Sequence, residues 1–282
     1  MLIVSRLAFH PSTMRYKSIV ILSSLLVFLA GCSVLQWGKF FAPEAFGFVP
    51  IASNIYVEPG TDAATQARLL EAMDKAETAI RLAYGDTKAH PVVHACITEK
   101  CLESFGGKGT FAKVYGNRIL LSPRGLNWHF IAHEWSHAEM STRLTLFAWK
   151  RMPQWFDDGV AVAISEAPEH SEQHWQFLVA SNIPRPTREE LYTLRSLNQW
   201  LDAVRRYSDN KNAERRARGE TEIHSVYAAA GHELRPWLAT AGTPGLLAFI
   251  EKLNDGETFE SAYQTANPSF QGTLRDKTAQ RP

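Results

Sequence analysis

Residues 126–141 read Leu-Asn-Trp-His-Phe-Ile-Ala-His-Glu-Trp-Ser-His-Ala-Glu-Met-Ser and contain His133, Glu134 and His137 in the spacing HExxH. The apolar residues around this motif predict an amphipathic helix. Residues four positions apart on a helix share a face, so the rings of His133 and His137 would point to the same place. Two imidazoles at this spacing can bind one zinc ion, and Glu134 can reach a water beside it. The stretch therefore predicts a helix that carries a metal site.

An open catalytic zinc site needs a third protein ligand. The segment Pro153-Gln154-Trp155-Phe156-Asp157-Asp158-Gly159-Val160-Ala161 supplies a candidate acid, and Glu166, about two helical turns later, is an alternative. If both acids are helical, Asp157 should point about 100° away from Asp158.

The order HExxH and then Pro-x-Trp-Phe-x-acid-Gly-x-Ala resembles the thermolysin-like gluzincins of the peptidase MA clan. The resemblance implies that the acid before the glycine binds zinc from a second helix, and that Glu134 is the general base of peptide hydrolysis. The family normally has glutamate where this chain has Asp158. Because aspartate is one methylene shorter, the second helix must approach more closely.

The segments 227–231 and 237–242 resemble the closing helices of the same group. In related enzymes a Tyr or His from this part can stabilise the oxyanion of the tetrahedral intermediate. The resemblance makes Tyr227 the candidate donor, with His232 and His224 as alternatives.

The amino terminus is typical of a secretory signal, since Arg15 and Lys17 precede the apolar run 19–30. The run ends in Leu-Ala-Gly-Cys, which resembles the lipobox of bacterial lipoproteins. The resemblance implies that 1–32 is a lipoprotein signal peptide, that lipidated Cys32 holds the chain on the membrane, and that the chain is sorted to the outer membrane, facing the periplasm. An uncleaved anchor and a lipid-free secretory signal are the alternatives, and both also place the chain outside the cytoplasm.

The order of elements predicts a single α+β domain, mainly helical, with a small sheet before the active-site helix. We expect a tether over 33–50 and a zincin-like domain over 51–282. Strands are predicted over 51–57, 92–97 and 114–121, and a solvated segment over 205–222. Helices are predicted over 62–84, 126–141, 156–164, 187–204 and 223–239, with short helices after Thr243-Pro244.

The formal net charge of +1 does not suggest a nucleic-acid partner. Three cysteines are too few for a disulfide framework. Outside the cytoplasm, Cys96 and Cys101 are expected to form a disulfide, with two free buried thiols as the alternative. A metal role for them is disfavoured because no second cysteine pair exists.

These observations together predict an envelope-anchored zinc metallopeptidase that acts on a peptide or protein substrate. One Zn²⁺ per chain would be bound by His133, His137 and Asp158. The alternative is a catalytically inactive zincin-like lipoprotein that acts as a binding or envelope-assembly module. A structural lipoprotein with a coincidental HExxH is a further alternative.

Overall fold

The computed structural model describes residues 37–207 and 211–266. The predicted signal peptide, Cys32 and the first residues of the predicted tether lie outside this part of the chain. Among the described residues, no helix is long and apolar enough to span a membrane.

A mixed sheet, five-stranded within the described residues, has the order β1-β2-β3-β5-β4. Its strands are β1 (Val49–Ala52), β2 (Ile55–Val57), β3 (Val92–Ala95), β4 (Ala112–Val114) and β5 (Arg118–Leu121). β2, β3 and β5 are parallel to one another, and β1 and β4 are antiparallel to their neighbours.

Helices make up most of the remaining described chain, which confirms the α+β, mainly helical class. They are α1 (Ala63–Tyr84), α2 (Glu99–Ser104), α3 (Trp128–Arg143), α4 (Leu146–Arg151), α5 (Gln154–Ser165), α6 (Glu172–Ala180), α7 (Arg188–Tyr192), α8 (Leu197–Arg206), α9 (Asn212–Ala217), α10 (Ser225–Asn254) and α11 (Phe259–Thr265). α1 follows its predicted bounds, because Asp62 accepts a hydrogen bond from the Thr65 amide and Gly85 ends the helix at φ 81°.

The two faces of the sheet pack into different cores. Ile119 and Leu121 of β5 belong to the main core, which also contains buried residues of α1, α3, α5 and α10. These four helices are here called the helical layer. Leu120, between Ile119 and Leu121, faces the opposite side and packs with Phe40, Phe48 and Phe105. This alternation follows from the two-residue period of a strand.

Residues 37–50 differ from the expected tether. Residues 37–41 are helical, Pro43–Phe46 form a 3₁₀ turn, and β1 already begins at Val49. Phe40 and Phe48 are buried against the outer face of the sheet, the face opposite the helical layer. The aromatic side chains therefore make this segment part of the fold, since burying them removes apolar area from water.

Two predicted strands are wrong in their extent, because each is a hairpin. The range 51–57 divides into the end of β1 and β2, and these two strands pair antiparallel. The range 114–121 divides into the end of β4 and β5 around Gly116, whose φ is 60°. A left-handed residue turns the chain, and glycine adopts that conformation without strain.

The single helix predicted over 187–204 is also wrong. Thr187 caps α7, which ends at Tyr192, and a new helix begins at Leu197 behind a capping box of Ser196 and Gln199. Leu197 is therefore exposed rather than placed on a common apolar face.

The prediction over 205–222 differs at Asn212, which is buried and hydrogen-bonded to both backbone polar groups of Ile223. The predicted break before Pro244 is present as a kink in α10 at Gly242. Cys96 and Cys101 form a disulfide, with their Cα atoms 5.5 Å apart, at the end of β3.

Candidate metal centre

The motif helix α3 is held between the sheet and the other helices. Asn127 caps its amino terminus by accepting hydrogen bonds from the backbone amides of His129 and Phe130. Ile131 and Trp135 are buried in the main core, and the Trp135 indole donates to the carbonyl oxygen of Ala89. The face that carries the HExxH side chains is turned toward α5.

The second helix, α5, is fixed by large aromatic side chains. Trp155 stacks on Tyr192, and Phe156 packs against Trp237 and Phe249 of α10. The His137–Asp157 contact lies at one end of the helix pair and the His129–Ser165 contact at the other, so α5 runs antiparallel to α3.

Two glycines permit a close crossing of α5 and α10. A Cβ on Gly159 would lie 2.9 Å from the Leu234 side chain and 3.1 Å from the Ala230 carbonyl oxygen. A Cβ on Gly231 would lie 2.4 Å from Val162. The glycine after Asp158 is thus required by helix packing, which sets the position of the acid before it.

Three potential ligand atoms converge between α3 and α5. The Nε2 atoms of His133 and His137 are 3.3 Å apart. Oδ1 of Asp158 lies 3.7 Å from Nε2 of His133 and 3.8 Å from Nε2 of His137. The shorter aspartate therefore reaches both rings, and the three side chains form a buried group that could hold a metal ion.

The size of this triangle suits zinc. Zinc–nitrogen and zinc–oxygen bonds of about 2.0–2.2 Å at tetrahedral angles place two ligand atoms about 3.3–3.6 Å apart. The observed edge of 3.3 Å lies within this range, and the edges of 3.7 and 3.8 Å exceed it by a few tenths of an ångström at most. Two histidines and one carboxylate are also a donor set that zinc uses in catalytic sites.

Neighbouring side chains orient two of the three ligands. Oδ2 of Asp157 lies 2.8 Å from Nδ1 of His137, so the imidazole can donate there while Nε2 points to the centre. The Gln154 amide donates to Oδ2 of Asp158 at 2.7 Å, which leaves Oδ1 toward the histidines. Nδ1 of His133 is buried and has no protein partner among the described residues.

The electrostatics of the site favour a bound cation. Glu134, Asp157 and Asp158 are all buried beside the two rings. Burial, reinforced by the two aspartates and opposed by the two histidines, raises the pKa of Glu134 above its ordinary value. Burial disfavours a charged His137, yet the same carboxylates, Asp157 foremost, raise the pKa of His137 to about 10. A divalent ion would supply the positive charge that these carboxylates otherwise draw from a proton.

The predicted oxyanion donor is near the centre. The Tyr227 ring centroid lies 6.2 Å from that of His133, and Trp200 packs edge-on against Tyr227 at 5.1 Å. Of the two alternatives, His232 pairs with Glu172 at 2.9 Å and His224 contacts Asn212.

The alternative ligand Glu166 is not part of the convergent group. It ends α5 in a left-handed conformation, with φ 47°. Its side chain lines a separate cleft of about 980 Å³ between α1 and α10.

Sequence reasoning missed two neighbours of the centre. Asp157 was expected only to point away from Asp158, and its Oδ2 lies 2.8 Å from Nδ1 of His137. The sequence position of Asp157 could have indicated this contact, because the residue before Asp158 on α5 can also face α3. His170 stacks on Tyr227 at 4.8 Å and lies 6.3 Å from His133. It enters from a short turn after α5, and no sequence spacing indicated it.

The fold and the four side chains of His133, Glu134, His137 and Asp158 define a candidate three-ligand metal centre with an adjacent carboxylate. In comparisons with known proteins, no family model, no curated protein and no solved structure matches this chain.

Proposed function

We propose that this chain is an envelope-anchored zinc metallopeptidase that hydrolyses peptide bonds. The observation that carries the proposal is the convergence of Nε2 of His133, Nε2 of His137 and Oδ1 of Asp158 at 3.3–3.8 Å, with Glu134 buried beside them. An HExxH that occurred by coincidence would not be expected to meet a third buried acid at ligand spacing.

Each residue has a defined role in this proposal. Bound zinc would supply Lewis-acid polarisation of the scissile carbonyl and of a water molecule. Glu134 takes a proton from the attacking water and later delivers it to the leaving amine. Its raised pKa, caused chiefly by burial, suits a group that must both accept and return a proton. Asp157 holds the His137 ring in the tautomer that leaves Nε2 free.

Tyr227 is the proposed donor to the oxyanion. Its ring is held between His170 and Trp200, so its orientation is restricted before substrate arrives. A donor that is positioned in advance contributes more to transition-state stabilisation than a mobile one.

The substrate is proposed to be a peptide or protein in the bacterial envelope. The apolar run 19–30 and the lipobox-like sequence ending in Cys32 support membrane attachment, with the outer membrane and the periplasmic side as the proposed location.

The test combines metal content with hydrolysis. The full chain, purified in detergent, should contain one zinc per chain and cleave members of a mixed peptide library. Glu134→Gln should keep the zinc and lose hydrolysis by about 10²–10⁴-fold. Glu166→Gln, which changes a carboxylate outside the convergent group, should keep both.

Two results would overturn the proposal in different ways. If the chain contained no zinc after dialysis against zinc, it would have no zinc centre and the proposed mechanism would be wrong. Stoichiometric zinc without cleavage would leave the alternative of an inactive binding or assembly module.

A further inference from the structure

An exposed apolar surface lies at the amino-terminal edge of the described chain. Trp37, Phe41 and Phe46 are 49%, 66% and 37% exposed, and we call these three side chains the aromatic surface. They are contiguous, since the rings of Trp37 and Phe41 are 6.4 Å apart and the Phe46 ring lies against the backbone of Gly38. A contiguous apolar patch on a folded protein usually marks a contact surface.

The aromatic surface is built on a packed base. Beneath it, Phe40 packs edge-on against Phe105 at 4.8 Å, and Phe48 packs against the same ring at 5.4 Å. The Arg118 side chain donates a hydrogen bond to the carbonyl oxygen of Phe40 at 2.9 Å. The exposed rings therefore belong to a segment fixed on the outer face of the sheet.

The predicted membrane attachment point lies only a few residues before this surface. Trp37 follows Cys32 by five residues and the apolar run 19–30 by seven. Five residues of extended chain span at most about 18 Å. The aromatic surface therefore begins within about 18 Å of a lipid on Cys32, or within about 25 Å of the end of an uncleaved apolar segment.

Cations accompany the exposed rings. The Arg118 guanidinium lies 4.2 Å from the centre of the Phe41 ring, and Lys39 donates to the carbonyl oxygen of Ser104. Glu44 is the one acidic residue within 37–49. Aromatic rings at the headgroup level and basic groups near anionic lipid are the two features that favour a membrane interface.

We infer that the aromatic surface inserts into the interface of the lipid bilayer that holds the anchor. This inference rests on the membrane-attachment part of the proposed function and is independent of the metal centre. Because the aromatic surface is on the outer face of the sheet and α3 is on the other, the sheet separates the bilayer from the metal centre. The metal centre would then face substrates on the side away from the membrane.

The test uses tryptophan fluorescence of the full chain in vesicles. Vesicles of phosphatidylethanolamine and phosphatidylglycerol carry acyl chains brominated near the headgroup, which quench only tryptophans at that depth. The wild-type chain should be quenched, and Trp37→Phe should lose most of this quenching. Trp149 of α4, which is 37% exposed, provides the matched control. The Trp149→Phe chain should retain the quenching seen in the wild type.

A second pair of variants leaves all tryptophans in place. Phe41→Ser should reduce the quenching, because the loss of an apolar ring weakens insertion of the aromatic surface into the bilayer. Phe147→Ser, at a side chain that is 72% exposed on α4, should not. Both side chains are exposed, so neither change is expected to prevent folding.

The outcomes separate the surface from the anchor. Quenching that is equal in wild type and Trp37→Phe, or that is lost in Trp149→Phe instead, would overturn the inference. Release of the chain by an alkaline wash would contradict stable anchoring, while quenching measured before the wash still reports whether the aromatic surface enters the bilayer.

Discussion

Nδ1 of His137 lies 2.8 Å from Oδ2 of Asp157, on the opposite side of the imidazole from the Nε2 atom that faces His133 and Asp158. Two adjacent acids on α5 thus have different tasks. Asp158 faces the proposed metal position, and Asp157 contacts Nδ1 of His137, on the side of the ring away from that position. This division depends on α5 lying antiparallel to α3 at close range.

Replacing Asp157 by asparagine should weaken zinc binding by about 10–100-fold, because the His137 ring loses the carboxylate that fixes its orientation and raises its basicity. Competition with a chromophoric chelator measures this affinity. Asp74→Asn on the exposed face of α1 is the matched control. Equal affinities for the wild-type and Asp157→Asn chains would show that Asp157 does not act through His137.

Replacing Asp158 by alanine should abolish stoichiometric zinc, because two histidines remain where three protein ligands are needed. Metal analysis after gel filtration gives the result directly. Glu166→Ala removes the alternative acid and should retain one zinc per chain. If Glu166→Ala lost the zinc and Asp158→Ala retained it, the third ligand would be Glu166 instead of Asp158.

Replacing Gly159 by alanine should lower the free energy of unfolding by about 1–3 kcal/mol, because the new methyl group meets Leu234 and the Ala230 backbone across the α5–α10 crossing. Chemical denaturation measures the loss. In a double-mutant cycle, Leu234→Ala should relieve part of the clash, so that the two costs are less than additive. Strict additivity would contradict the proposed close contact.

His94 should make stability depend on acid pH. Burial, together with Arg118, lowers the pKa of His94 to about 4, below the unfolded value of about 6.5. The folded state thus binds fewer protons than the unfolded state between these values. The contribution of His94 is fully present above about pH 6.5 and is lost as the pH falls toward 4.

Between pH 7 and 4.5 this contribution amounts to a loss of about 2–3 kcal/mol in unfolding free energy. His94→Phe should remove this contribution and leave the dependence caused by other groups such as His174, whose pKa burial also lowers to about 4. Urea unfolding of both chains at the two pH values tests this. Parallel pH profiles for the two chains would rule out His94 as the source.

Local sequence patterns predicted the elements whose signals are contained within one segment. The Asp62 cap and Gly85 stop delimit α1, and the HExxH spacing and its apolar neighbours place both histidines on one face of α3. Patterns failed where a short turn interrupts a plausible period. The apolar spacing of 187–204 looks continuous, but Ser196 starts a second helix through its own capping box.

The sequence alone therefore determined the mainly helical α+β class, the helix that carries His133 and His137, and Asp158 as the acid to expect beside them. Only the tertiary structure decided that Asp158 reaches both rings, that Asp157 supports His137, and that residues 37–50 pack on the sheet. The reason is physical. Helical period and capping act over a few residues, whereas these contacts depend on the distance and direction between elements that only packing of the core sets.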